Sequence, residues 1–331
     1  MKTFEWVDAN SVEEAVQLTV KGSSYKAAGM DLVDLMKENI AAPTRLVNIR
    51  SIKGLDEIKS DDKGLDIGPL VTLTQLSEHK DVRDRYAALA LAAGHAATPH
   101  VRNVATLGGN LLQRPRCWYF RSEQFPCRKK GGEICFAQQG ENQYHAIFGN
   151  GICAIVHPSA TACALVAMKA KLEILVGPPG GASGRREVPI DGFFTPPNVD
   201  VQRENKLEPG ELITRVIVPA LPATAKSYYI KQGEKESFDW PIAEVAVVLD
   251  MDGPTCKTAS VVLGAASPIP RRAREAEGAL AGKEITDATV AEAAEAAMAE
   301  ASPMTQNGYK VPLFKIIIAR AILAAAKGEN A

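Results

Sequence analysis

Residues 101–115 read VRNVATLGGNLLQRP. The tandem Gly108–Gly109 requires either a backbone at positive φ or something approaching the backbone closely. Small residues flank the pair, so the neighbouring N–H groups are expected to be open to a ligand. Val104–Thr106 reads as strand-like and Leu111–Gln113 as the start of an apolar helix. Upstream, residues 86–97 read as an apolar helix that Pro99 should end. LDIGPLVTLTQLSEH, residues 65–79, reads as a strand around Leu65–Ile67, then a helix capped by Thr72 or Thr74. Residues 11–50 alternate helix, strand, helix, strand. Ser11 and Glu14 form a capping-box pair, and SYKAA is a short buried strand. GMDLVDLMKEN opens a helix with Gly29 at the turn and Asp31 in its first turn, and RLVNI is the next strand. The first strand lacks the G-x-G-x-x-G turn of a Rossmann dinucleotide site. Two short loops at helix starts, residues 27–31 and 106–110, can serve an anion instead, through their N–H groups and helix dipoles.

Past the glycines lies a long irregular stretch, about residues 114–151, with neither a period of 2 nor of 3.6. A loop of this length in a compact domain is usually functional, and its aromatics and cysteines argue against disorder. CWYFRSEQFPCRKKGGEIC, residues 117–135, holds three of the six cysteines, and Cys153 follows. No C-x₂-C pair occurs, so a zinc knuckle and an ordinary ferredoxin motif are both poor fits. Spacing alone leaves an iron–sulfur cluster, a zinc ion and unliganded thiols open, with His145 and His157 as substitute ligands. Arg116, Arg121, Arg128, Lys129 and Lys130 would offset a cluster's negative charge. Cys163, in the apolar stretch TACALVAM, reads as a buried structural thiol, and Cys256 as a bystander near a turn.

Strands resume with KLEILV and, after a Pro/Gly turn, REVPI; ELITRVIVP alternates and ends at Pro219. ALPATAK, residues 220–226, is the linker candidate. SYYIKQG, AEVAVVLDM and TASVVLGAA give three strand signals, followed by helical stretches over 288–301 and 312–327. Strands first and helices later point to an α+β unit with its sheet covered on one face. At 331 residues the chain needs more than one core. Its 46% hydrophobic and 23% charged residues are those of an ordinary soluble protein. A formal net charge of −1 gives no field to recruit nucleic acid. No apolar run is long enough to span a membrane, and the first residues do not form a signal peptide, so a cytoplasmic protein is expected.

Taken together, KAAGMDL and VRNVATLGGNLLQ resemble the two FAD loops in the flavin (medium) subunits of the xanthine dehydrogenase, or molybdenum hydroxylase, family. The resemblance extends over essentially the whole chain. It implies an α+β fold: a PCMH-type (vanillyl-alcohol-oxidase-like) FAD-binding domain over residues 1–219, with subdomains of about 1–55 and 56–219. A carbon monoxide dehydrogenase flavoprotein-like C-terminal domain, three antiparallel strands with helices, would cover 220–331. Lys26, Ala27, Ala28, Gly29, Met30, Asp31 and Leu32 match the first loop, and Thr106, Gly108, Gly109 and Asn110 the second; Ser159, Ile213 and Lys231 are further implied FAD contacts. Lys231 would lie near the isoalloxazine and stabilise its reduced anionic form, with DWPIAEVAV, residues 239–247, close by. Ala28, Met30 and Ala160 depart from the family's usual residues, and a hydroxyl donor is lost at Met30.

The insert at residues 114–153 is similar to that of a subgroup including the flavin subunits of 4-hydroxybenzoyl-CoA reductase and of the periplasmic aldehyde oxidase. There it carries an additional [4Fe–4S] cluster, and the matching ligands would be Cys117, Cys127, Cys135 and Cys153. The function implied is electron transfer in a heteromeric oxidoreductase, without a catalytic acid, base or nucleophile on this chain. Its partners would be a large molybdopterin-binding subunit, a small subunit with two [2Fe–2S] clusters, and an external carrier such as a ferredoxin. A stand-alone flavin oxidoreductase and a structural zinc protein with a degenerate FAD site are the alternatives.

Overall fold

The structure, a computed structural model, describes residues 1–177, 184–235 and 238–329. The expected Pro/Gly turn over residues 178–183 lies outside the described residues.

Strands β1 (Glu5–Asp8), β2 (Ser23–Lys26) and β3 (Arg45–Asn48) form a parallel sheet in the order β1-β3-β2. Parallel neighbours need crossovers, and helices α1 (Val12–Gln17) and α2 (Leu32–Lys37) supply them. Ser11 Oγ accepts from the Glu14 N–H, while the Glu14 carboxylate accepts from Asn10 rather than from Ser11. The apolar side of this layer, with Val16, Val47 and Ile49, meets Leu70, Leu175 and Leu212 of the next.

That next layer is a five-stranded antiparallel sheet of β4 (Ile58–Asp61), β5 (Gly64–Ile67), β6 (Lys171–Val176), β7 (Gly184–Pro189) and β8 (Leu212–Pro219), in the order β4-β5-β8-β6-β7. Between β5 and β6 run α3 (Leu73–Glu78), α4 (Lys80–Arg85), α5 (Ala87–Gly94), α6 (Pro99–Arg102), α7 (Leu107–Leu111), α8 (Trp118–Arg121) and α9 (Ala160–Ala167). Thr72 caps α3 in a full capping box with Gln75. Pro99 does not end the apolar helix, which stops at Gly94; it opens α6 behind the Thr98 cap. Its fixed φ and missing N–H suit a first helical turn. Helices α5 and α9 are almost wholly buried, because one core cluster joins them to the sheet.

The turn after β5 is held against the segment before β4: the Leu70 N–H donates to the Leu55 carbonyl at 2.8 Å, and the Gly68 N–H to the Glu57 carbonyl at 2.9 Å. A Cβ on Gly68 would fall inside van der Waals contact with the Leu55 carbonyl group. Gly68→Ala is therefore expected to cost about 3 kcal/mol of overpacking, read as a lower urea midpoint. An unchanged midpoint would mean that this backbone approach relaxes freely.

The last strands, β9 (Ala225–Gln232), β10 (Ala243–Asp252), β11 (Thr255–Gly264) and β12 (Arg271–Arg272), make an antiparallel sheet in the order β12-β11-β10-β9. Helices α10 (Arg274–Leu280), α11 (Asp287–Met298) and α12 (Lys310–Lys327) supply the remaining core, with Val245, Leu263, Val290, Phe314 and Ile318 buried among them. The sequence reading gave three of these strands and the last two helices. It missed β12, of two residues, and α10, whose REAEGAL carries a glycine and is too short to set a period.

Residues 114–153 are not structureless. They contain α8, turns over Arg128–Lys130 and Phe136–Gln138, and a left-handed Gly131. The Trp118, Tyr119, Phe125 and Phe136 rings pack edge-on or stacked. The segment is tied to the C-terminal part: Asn142 Nδ2 donates to Thr305, Asn307 Nδ2 to the His145 carbonyl, and Lys310 Nζ to the His145 and Ala265 carbonyls. Lys310 is fully buried, and burial lowers its pKa to about 7. No helix among the described residues is long and apolar enough to cross a membrane.

Candidate functional site

A cavity of about 970 Å³ opens where the two N-terminal layers, the inserted segment and the C-terminal sheet meet. Its size is at the upper end of the ~300–1,000 Å³ usual for small-molecule and cofactor sites. Lys26 to Leu32 form one wall; Thr106, Gly108, Gly109 and Asn110 form another, and Ile213 and Lys231 also face it. Of the residues implied as FAD contacts, only Ser159 stands behind the wall, donating to Asn110 Oδ1 at 2.6 Å. It fixes the Asn110 side chain from the rear and caps α9 through the Ala162 N–H.

The two loops differ in what they offer an anion. Gly29 has φ +83°, and the N–H groups of Ala28, Gly29, Met30 and Asp31 have no partner among the described residues. At the second loop, the N–H groups of Leu107, Gly108, Gly109 and Asn110 are all used internally, by Val71, Pro69 and Thr106. The expectation of open N–H groups there is corrected. Neither Gly108 nor Gly109 has positive φ, and the need for glycine at 108 is close approach: a Cβ would lie 2.9 Å from Pro69 Cβ.

The inserted segment brings cations to the rim. Arg116 and Arg121 both bind Asp31, the Arg114 N–H donates to the same carboxylate at 2.8 Å, and Arg114 pairs with Glu204. The Arg116 guanidinium also lies 4.5 Å from the centre of the Trp240 ring. Trp240 is 54% exposed, so it is a rim residue rather than core. Sequence reasoning assigned Arg116 and Arg121 to cluster neutralisation; nothing in their spacing showed that Asp31, some 85 residues earlier, was their partner. Lys231 Nζ donates to the His95 carbonyl at 3.1 Å, and burial lowers its pKa. Opposite it in the register, Glu244 of β10 also faces the cavity and is 1% exposed. The sequence reading missed Glu244, although an acid within the apolar run AEVAVV was a visible signal.

The expected [4Fe–4S] site on Cys117, Cys127, Cys135 and Cys153 is overturned. Among the described residues, no group of three or more His, Cys, Asp or Glu side chains is placed to hold a metal ion. The thiols find other surroundings. Cys117 Sγ lies 3.2 Å from His145 Nε2, Cys127 is buried with Leu35 and Phe120, and Cys135 is hydrogen-bonded to Cys153. That bond holds Cys135 below the ordinary thiol range and pushes Cys153 up, while burial pushes Cys117 up to about 12. All six cysteines are free thiols. The metal-binding and iron–sulfur assignments, membership of the cluster-bearing subgroup, and electron relay through a second centre fall together. The structural-zinc alternative loses its site by the same observation. Cys163 and Cys256 are buried, in α9 and β11.

The profile of the family described as "FAD binding domain in molybdopterin dehydrogenase" matches residues 2–221, and that of the "CO dehydrogenase flavoprotein C-terminal domain" matches residues 228–325. The chain is 35% identical to the aldehyde oxidoreductase FAD-binding subunit PaoB of Escherichia coli, over 99% of this chain and 100% of that one. It is 29% identical to the carbon monoxide dehydrogenase medium chain of Hydrogenophaga pseudoflava, over 97% and 96% of the two chains. Among solved structures, carbon monoxide dehydrogenase from Hydrogenophaga pseudoflava superposes with a TM-score of 0.76 at 28% identity, covering 100% of this chain and 99% of the other. The architecture is accordingly the expected α+β, PCMH-type fold of two subdomains with a small C-terminal α+β unit.

Proposed function

Because the chain belongs to the family of FAD-binding subunits of molybdopterin dehydrogenases, and is thereby an oxidoreductase subunit, we propose that it is the electron-transfer subunit of a heteromeric complex and carries FAD in the cavity described above. The observation that carries this reading is one cavity of about 970 Å³ lined by the loop at 26–32, the loop at 106–110 and the end of β9. The residues present fit the cofactor. Four adjacent N–H groups beside a left-handed Gly29 suit a pyrophosphate. Ile213, Leu73 and Leu212 give apolar surface for the rings.

On this reading Lys26, Ala27, Ala28, Gly29, Met30, Asp31 and Leu32 hold the phosphate side, with Asp31 oriented by Arg116 and Arg121. Thr106, Gly108, Gly109 and Asn110 close the second wall, and Ser159 keeps Asn110 in place. Ile213 and Lys231 face the isoalloxazine. Bound FAD supplies the exchange between two-electron and one-electron transfer. The chain's own part is to bind, orient and shield it.

Substrate chemistry would then lie on a large molybdopterin-binding partner, joined to this chain by a small subunit with [2Fe–2S] clusters. An external carrier, of which a ferredoxin is one form, would exchange electrons with the flavin directly. The FAD-binding part would run to Pro219 and the C-terminal part from Ala220, at the short connection before β9.

Co-purification of the full complex tests this. One FAD per copy of this chain, with molybdenum and iron in the same assembly, is the expected result. Absence of FAD from the folded chain, or substrate turnover by the chain alone, would overturn it.

A further inference from the structure

Glu244 is a charged side chain in the wrong place for ordinary packing. It sits near the start of β10, in the stretch Ala243 to Val247 that is otherwise apolar and buried. Its Oε1 accepts the Tyr229 hydroxyl at 2.6 Å; its Oε2 is buried and has no hydrogen-bond partner among the described residues. Room for that oxygen exists only because residue 264 is glycine: a Cβ there would overlap Glu244 Oε2 and lie 2.6 Å from Cys163 Sγ. An unpaired carboxylate in such a site costs several kcal/mol if it serves packing alone. Its neighbour across the strand pair is Lys231, and both line the cavity.

We infer that Glu244 is the proton-holding residue of the flavin cavity: it takes a proton from solvent when the flavin gains electrons and returns it when they leave. This rests on the proposed FAD site. Two electrons would reach bound FAD in successive transfers from one-electron carriers, together with one proton. A second proton converts the Glu244 carboxylate to the neutral acid, and no bond between heavier atoms changes. Glu244 thereby offsets the negative charge gained beside it, acting as a positioning residue for charge rather than as a group that touches substrate.

The surroundings permit this role. From β9 come the Tyr229 phenol and the Lys231 ammonium; from α9 comes the Cys163 thiol; from α12 comes Lys310; β11 presents only Gly264. Behind Lys231 stand His95, Arg102 and Asp239. Burial raises the Glu244 pKa to about 7, with Tyr229, Lys231 and Lys310 opposing. The carboxylate is therefore half-ionised near neutrality, and added negative charge nearby raises its proton affinity further.

The test is proton uptake by the FAD-loaded full chain, reduced anaerobically with dithionite in weakly buffered indicator dye, and counted per bound flavin from pH 6 to 9. The wild type should take up more protons per flavin than Glu244→Gln between pH 7 and 8, by roughly half a proton or more, the difference vanishing at higher pH. Equal uptake by the two proteins overturns the inference. Should Glu244→Gln fail to fold or to hold FAD, Tyr229→Phe decides. Loss of its hydrogen bond to the carboxylate should move the uptake window to higher pH, and an unmoved window overturns the inference. A wild-type chain that binds no FAD would instead sink the proposed function, which keeps the two failures apart.

Discussion

Gly29→Val weakens FAD binding by up to about 100-fold, because the backbone at residue 29 no longer holds its N–H groups toward the cavity. A β-branched residue at φ +83° leaves the left-handed region or pays about 1–2 kcal/mol to stay there. Its Cβ would also sit 3.1 Å from Val33 Cγ2 and 3.2 Å from Lys26 Cε. Relief of that crowding turns the N–H groups of residues 28–31 away from the cavity. Losing one hydrogen bond to a charged oxygen costs about 1.5–3 kcal/mol, which by itself is about one to two decades in Kd. Flavin fluorescence titration of the apoprotein reads it directly. Gly54→Ala is the control: it has φ +82° but nothing within 4 Å of the new Cβ, and Gly54 does not line the cavity. It should lose a similar backbone stability and keep its FAD affinity. Equal losses of affinity in both proteins would mean that the effect is global.

Lys310→Met gives the second large effect, on stability. The methionine fills the space but donates nothing, leaving the buried carbonyls of His145 and Ala265 without the Lys310 donor. Unmatched acceptors of this kind cost about 1–3 kcal/mol each. Asn307 still serves the His145 carbonyl, so one acceptor is left unmatched and the net is roughly 1–3 kcal/mol, or an unfolding midpoint a few degrees lower. The pH dependence is a sharper signature. The folded-state pKa of Lys310 is lowered to about 7, so the unfolded chain binds more protons between there and the ordinary lysine value. Stability linked to Lys310 is complete above that ordinary value and is lost as pH falls through about 7. The methionine variant should lack this part of the slope; an unaltered slope would place the titration elsewhere. The same substitution should loosen residues 142–146, and hydrogen exchange there should rise.

Local signals were legible where the chain decides its own conformation. Ser11 and Thr72 cap helices through their own oxygens, alternation marked β8, and apolar strand signals marked β10 and β11. Gly29 and Gly108 were both noticed as backbone requirements. Which requirement applied to each was not legible: positive φ at Gly29 is local, whereas Gly108 answers to Pro69, nearly forty residues away. Pro99 was misread for a related reason. Proline bars the residue before it from the helix, but the Thr98 cap makes it a helix start.

The site divides along the same line. From the sequence came the fold and the family, through the resemblance of KAAGMDL and VRNVATLGGNLLQ, and a strand signal put Lys231 on β9. Only the tertiary structure decided what surrounds them. Arg116 and Arg121 serve Asp31, Asn110 leans on Ser159, and Glu244 meets Tyr229, Lys231 and the gap at Gly264. Ligand geometry belongs to the same category. Four cysteines in one loop specify no common centre, since each thiol's direction is set by packing against rings and neighbouring strands. Here that packing leaves Cys117 with His145 and Cys135 with Cys153. Pairings between residues distant in sequence depend on how layers stack, and a chain's one-dimensional pattern carries only the faces that stack, not the partners they meet.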